Sequence, residues 1–163
     1  MESINNAGTC VGIQNTEGIV LAAEKRVVSK LLAPSKTSEK TYNIDDHIVC
    51  LVAGLSSDAD ILVQNARVAA QRSKYDYCHV RSSLYFIYLL PTTSGQNNQA
   101  GKSLLKTDYT EANTMEKNTK LAVKILVKTM DSTTPSPERI ELVVMRKTED
   151  GTVVERDFGR KNK

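Results

Sequence analysis

Apolar runs of strand length are joined in pairs by tight turns, and that pairing constrains the fold of this chain more than any other feature. Residues 9–14 read as a strand, Asn15-Thr16-Glu17-Gly18 as a turn, and residues 19–23 as the returning strand before Glu24-Lys25-Arg26 ends the apolar run. Residues 38–44 then lead through Asp45-Asp46 into residues 47–53, with His47 read as a strand residue. Gly54 frees the backbone to change direction into a helix. Near the other end, residues 139–147 and 152–158 alternate around Glu149-Asp150-Gly151 as a further hairpin. Hairpins rather than βαβ crossovers connect the strands, so a doubly wound parallel sheet is excluded and an α+β fold is expected.

Helical spacing fills the remainder. Ser56 or Ser57 caps a first helix, with Asp58 and Asp60 at the positive end of its dipole. Its buried stripe is expected to be Ala59, Leu62, Val63, Ala66, Ala69 and Ala70. A second helix fits residues 97–108 with Leu104 and Leu105 inside. A third fits residues 114–130, burying Leu121, Ala122, Ile125, Leu126 and Met130, and Pro135 and Pro137 stand beyond its end.

A length of 163 residues with 40% hydrophobic and 25% charged side chains suits one globular domain, taken as residues 1–163. The net charge of +3 lies mostly in the tail, at Arg156, Arg160, Lys161 and Lys163, which reads as a solvated terminus. With no Trp and no basic stripe interleaved with aromatics, nucleic acid is not an expected partner. Cys10, Cys50 and Cys78 form no paired framework, and Cys78-His79 has no second pair of ligands at metal spacing, so no metal is expected. The amino terminus lacks the basic and apolar regions of a signal peptide, and the longest apolar run, residues 84–90, is too short to span a bilayer. No membrane partner is expected.

The words AGTCVGI, EGIVLAAEKR, SEKTYNIDDHIVCLVAGLSSDADIL and ARVAAQR, in that order from Ala7 to Arg72, resemble the opening of a proteasome α-type subunit. KTMDS at residues 128–132 supports the type 4 class of that family. The resemblance covers residues 1–72 and 95–157 and flanks a segment, 73–94, without a counterpart. It implies an αββα sandwich of the Ntn-hydrolase type, two antiparallel sheets stacked between helical layers. The sandwich is expected to be incomplete, because family members carry a longer central segment with another helix and several strands. The first and third helices would then keep apolar stripes with too little sheet to cover them. Residues 1–4 resemble the last turn of the family's amino-terminal helix, so its gate-forming tail is not carried over.

The resemblance further implies a non-catalytic structural subunit of the 20S proteasome core, in the outer α ring, taking part in ubiquitin-dependent protein degradation. Its partners would be other proteasome α and β subunits and the carboxy-terminal tails of activators or regulatory particles, in cytoplasm and nucleus, with no cofactor. Lys40, in the word Ser-Glu-Lys, would lie in the pocket between neighbouring subunits that receives those tails, with Gly54 and Leu55 lining it. The alternative for Lys40 is an internal ion pair, for example with Glu24.

Two enzyme readings compete. Catalytic β-type relatives use an amino-terminal threonine, and matching their pattern places Glu24 at the acidic position, Lys40 at the lysine and Gly8 at the nucleophile. Glycine has no hydroxyl, so an amino-terminal nucleophile peptidase would need Thr9 or Cys10 exposed as a new terminus. The second reading is a nucleotide-binding domain, from Gly95 to Gly101-Lys102-Ser103, which has five residues where a phosphate-binding loop needs four and Gln96 where it needs backbone freedom.

Overall fold

The computed structural model describes residues 7–25, 40–54, 56–77, 92–94, 97–110, 112–130, 139–148 and 151–157. The strands are β1 Cys10–Gln14, β2 Gly18–Glu24, β3 Thr41–Asp45, β4 Ile48–Leu51, β5 Thr92–Ser94, β6 Ile140–Thr148 and β7 Gly151–Asp157. The helices are α1 Ser56–Tyr77, α2 Asn98–Asp108 and α3 Met115–Thr129. A five-stranded sheet runs β5-β1-β2-β6-β7, and β3 and β4 form a two-stranded one. Every pairing is antiparallel, as the hairpins require.

β2 is the centre of the molecule. Its run Gly-Ile-Val-Leu-Ala-Ala is buried throughout, the pattern of a strand covered on both faces. On one face Val20 and Ala22, with Val11 and Ile13 of β1, pack against Leu105 of α2 and Leu121, Ala122, Ile125 and Leu126 of α3. On the other, Ile19 and Leu21 join Val143 and Met145 of β6 against Val49 and Leu51 of β4. α1 lies along β3, where Arg67 Nε donates to the Asn43 carbonyl at 3.0 Å. Burial first, and then the Asp60 carboxylate to which its hydroxyl is hydrogen-bonded, push the Tyr42 phenol up, a second tie between α1 and β3. Contacts thus run from helices to sheet to sheet to helix.

The first hairpin is held by its own turn. Asn15 Oδ1 accepts the N–H groups of Glu17 and Gly18 at 3.1 and 2.9 Å, and the Asn15 N–H donates to the Gly18 carbonyl at 2.9 Å. The same turn also caps a distant helix. Thr114 makes no side-chain bond at the start of α3, and Glu17 Oε2 instead accepts the Met115 N–H at 3.2 Å.

Several expectations are corrected. His47 stands in the turn before β4, 4.0 Å from Asp45, because the register shifts between Asn43 and Asp45 and leaves residues 46 and 47 to close the hairpin. α1 continues past Arg72 to Tyr77, into the segment that has no counterpart in the motifs. Of its expected stripe only Ala59 and Val63 are buried, while Leu62 is 68% exposed beside Ile61 at 65%. Among the described residues only β3 and β4 lie beneath this six-turn helix, too narrow a floor to cover both of its flanks. α3 behaves differently: its whole expected stripe is buried, because the wider sheet lies beneath it. Thr92–Ser94, within the segment that has no counterpart in the motifs, forms the edge strand beside β1. Residues 84–90 lie outside the described residues.

Candidate functional site

Antiparallel pairing of Cys10 with Ala23 sets the residue before β1 opposite the last residue of β2. The Glu24 N–H accordingly donates to the Thr9 carbonyl at 2.9 Å, and the Thr9 N–H donates to Glu24 Oε2 at 3.2 Å. Lys40, immediately before β3, sends its Nζ to the Gly8 carbonyl at 2.9 Å. Residues 8, 24 and 40, matched separately along the sequence, therefore meet in space. A Cβ built on Gly8 would lie 2.5 Å from Lys40 Nζ and 3.2 Å from Glu24 Oε2. The acidic and lysine positions thus surround Gly8, which brings no hydroxyl or thiol between them.

Neither neighbour supplies the missing nucleophile. Thr9 is fully buried, and its nitrogen is an amide donating to Glu24 rather than a free amine. Cys10 is 3% exposed and its thiol donates to the Val52 carbonyl at 3.5 Å. Burial pushes that thiol from 9.0 to about 11; Lys40 pulls it down, and Glu141 and Glu24 push it further up. The thiolate is thus absent near neutral pH. Cys10 is expected to resist iodoacetamide at pH 8 in the folded chain, with mass spectrometry of the digest as the check. The linked effect on stability follows the same shift: it is fully present below pH 9 and lost as pH rises toward about 11, since only the unfolded thiol ionises in that window.

The expected docking residues fall at one end of β3–β4. The Lys40 carbonyl accepts the Val52 N–H at 2.9 Å, and Gly54 follows two residues after Val52. Gly54 has φ +150°, a conformation that favours glycine, and nothing stands within 4 Å of where its Cβ would be. Leu55 lies outside the described residues. Lys40 itself is half-buried, with its ammonium on Gly8.

The phosphate-loop reading does not survive the backbone. Gly101, Lys102 and Ser103 lie inside α2, and the N–H groups of Ala100 and Gly101 donate to the Asn97 carbonyl at 3.1 and 3.3 Å. Donors committed to a helix cannot curl around a phosphate. Among the described residues no group of three or more His, Cys, Asp or Glu side chains could hold a metal ion, and no helix is long and apolar enough to cross a membrane.

Glu141 escaped the motif-by-motif reading. It is fully buried, and its Oε1 accepts the hydroxyl of Thr41, the residue after Lys40. The signal was present: Glu141, Val143 and Met145 share the inward face of β6, a charge at an apolar period.

Residues 4–83 match the family model described as Proteasome subunit. A putative proteasome subunit alpha type-4-B of Arabidopsis thaliana is 45% identical over 152 residues, covering 87% of this chain and 70% of that protein. Proteasome subunit alpha type-4 of Petunia hybrida is 38% identical over 188 residues, covering 87% of this chain and 76% of that protein. Proteasome subunit alpha type-4-A of Arabidopsis thaliana is 36% identical over 199 residues, covering 94% and 80%. The family match runs on to residue 83, past Arg72 and into the segment 73–94 that has no counterpart in the quoted motifs. By that match and these relatives, the chain belongs to the proteasome subunit family, among its alpha-type members.

Proposed function

We propose that this chain is a non-catalytic structural subunit of the 20S proteasome core, seated in the outer α ring on an αββα sandwich of the Ntn-hydrolase type. One observation carries this reading: Gly8, Glu24 and Lys40 converge, yet glycine brings no nucleophile to the place where they meet. The partners are the other α and β subunits, and the role is in ubiquitin-dependent degradation in cytoplasm and nucleus. Purified by a tag from cells, the chain is expected in particles of proteasome size together with α and β subunits. Recovery only as free chain would overturn the assignment.

Lys40, with Gly54 and Leu55, is the docking point for the carboxylate that ends an activator or regulatory-particle tail. Its support is a half-buried ammonium at the same end of β3–β4 as an exposed glycine held at φ +150°. Lys40→Ala is expected to weaken tail binding by about 1.5–3 kcal/mol, the scale of a charge-assisted hydrogen bond, while incorporation into particles stays unchanged. Tail binding unaltered by this substitution would leave Lys40 an internal tie between β1 and β3.

A further inference from the structure

Glu141 is a carboxylate with no exposure to water, held on one side only: Oε1 accepts the Thr41 hydroxyl, and Oε2 has no hydrogen-bond partner among the described residues. Such a group is costly to bury unless positive charge lies near it. Thr41 directly follows Lys40, and Lys40 and Glu141 act with opposite signs on one atom, the sulfur of Cys10. Glu24 brings a second carboxylate to the same place, its Oε2 beside Gly8.

On the reading of Lys40 as a docking residue, we propose that Glu141 is the internal counter-charge that restrains the affinity of this site for a carboxylate and holds the ammonium on the Gly8 carbonyl. Lys40 thus stands with two carboxylates, Glu24 and Glu141, around one point. An incoming carboxylate therefore meets an ammonium whose field is already largely cancelled, and binds more weakly than a lone lysine would allow. Neutralising Glu141 removes one of the two negative charges that oppose an incoming carboxylate. Glutamine suits that purpose, because it keeps the volume and the acceptor oxygen for Thr41 and removes only the charge.

The test uses the tagged chain in the assembly in which it purifies. Its probe is a synthetic photoreactive peptide ending in a free carboxylate, paired with the same peptide ending in an amide. Half-maximal labelling of the tagged chain gives the affinity of this subunit alone. Glu141→Gln is expected to tighten the carboxylate peptide about fivefold, the effect of one partly screened charge, and to leave the amide peptide unchanged. Glu24→Gln, at a half-buried position, is expected to shift the carboxylate peptide the same way and serves where Glu141→Gln does not fold. Carboxylate affinity equal to or weaker than wild type in whichever of the two is folded would overturn the proposal, because a residue that merely braces β6 against β3 cannot tighten a ligand when it is neutralised. A wild-type chain that labels equally with both peptides would instead defeat the docking reading of Lys40, and this proposal with it.

Discussion

Alanine at Gly18 is expected to cost the folded chain about 3 kcal/mol, the upper end of the usual penalty for overpacking. A Cβ at this position would overlap the Met145 carbonyl oxygen and come within 3.1 Å of the Met145 carbonyl carbon and the Arg146 Cα. All of these are backbone atoms of β6, so no side-chain rotation relieves the overlap. Gly18 pairs with Arg146 at the start of the β2–β6 ladder and closes the Asn15 turn. Relief therefore requires parting the central strand from its neighbour or opening the turn that caps α3 through Glu17. The measurement is urea unfolding, in which the midpoint should fall while the slope stays constant. A midpoint equal to wild type would show that β6 moves aside freely.

Leu126→Ala is expected to destabilise the chain by about 3 kcal/mol, whereas Leu62→Ala should change stability by no more than about 0.5 kcal/mol. Leu126 is fully buried where α3 meets β1 and β2, so its removal leaves a cavity in the larger core. Leu62 is 68% exposed on α1 and leaves none. The two leucines look alike in sequence, each on the apolar stripe of an amphipathic helix. Equal losses of stability in the two variants would mean that the free flank of α1 is covered in the folded molecule after all.

That contrast marks where helical spacing stops being informative. Spacing shows which residues share a helix face; only the sheet beneath determines whether that face is covered. α3 lies over the wide sheet, and its stripe is buried as expected. Among the described residues α1 lies on β3 and β4 alone, which reach Ala59 and Val63 but leave Ile61, Leu62, Val68 and Tyr75 outside.

Local chemistry was sufficient for the hairpin of β1 and β2, for the antiparallel class of the sheets and for the extents of α2 and α3. The reason is that turn residues, caps and periodicity act over a few neighbours. The quoted motifs placed Gly8, Glu24 and Lys40 at matching positions, and the absence of a hydroxyl at Gly8 is a fact of sequence alone. Tertiary structure decided what these residues do together. It brings the Lys40 ammonium to the Gly8 carbonyl, gives Glu24 the Thr9 N–H, buries Cys10 so that its thiol stays neutral, and sets the edge strand Thr92–Ser94 beside β1. It also buries Glu141 against Thr41, 100 residues away in sequence, a contact that no local pattern encodes. Pairings at such separations depend on how the two sheets stack, and stacking is settled by the packing of β2 between two cores rather than by the residues flanking any one strand.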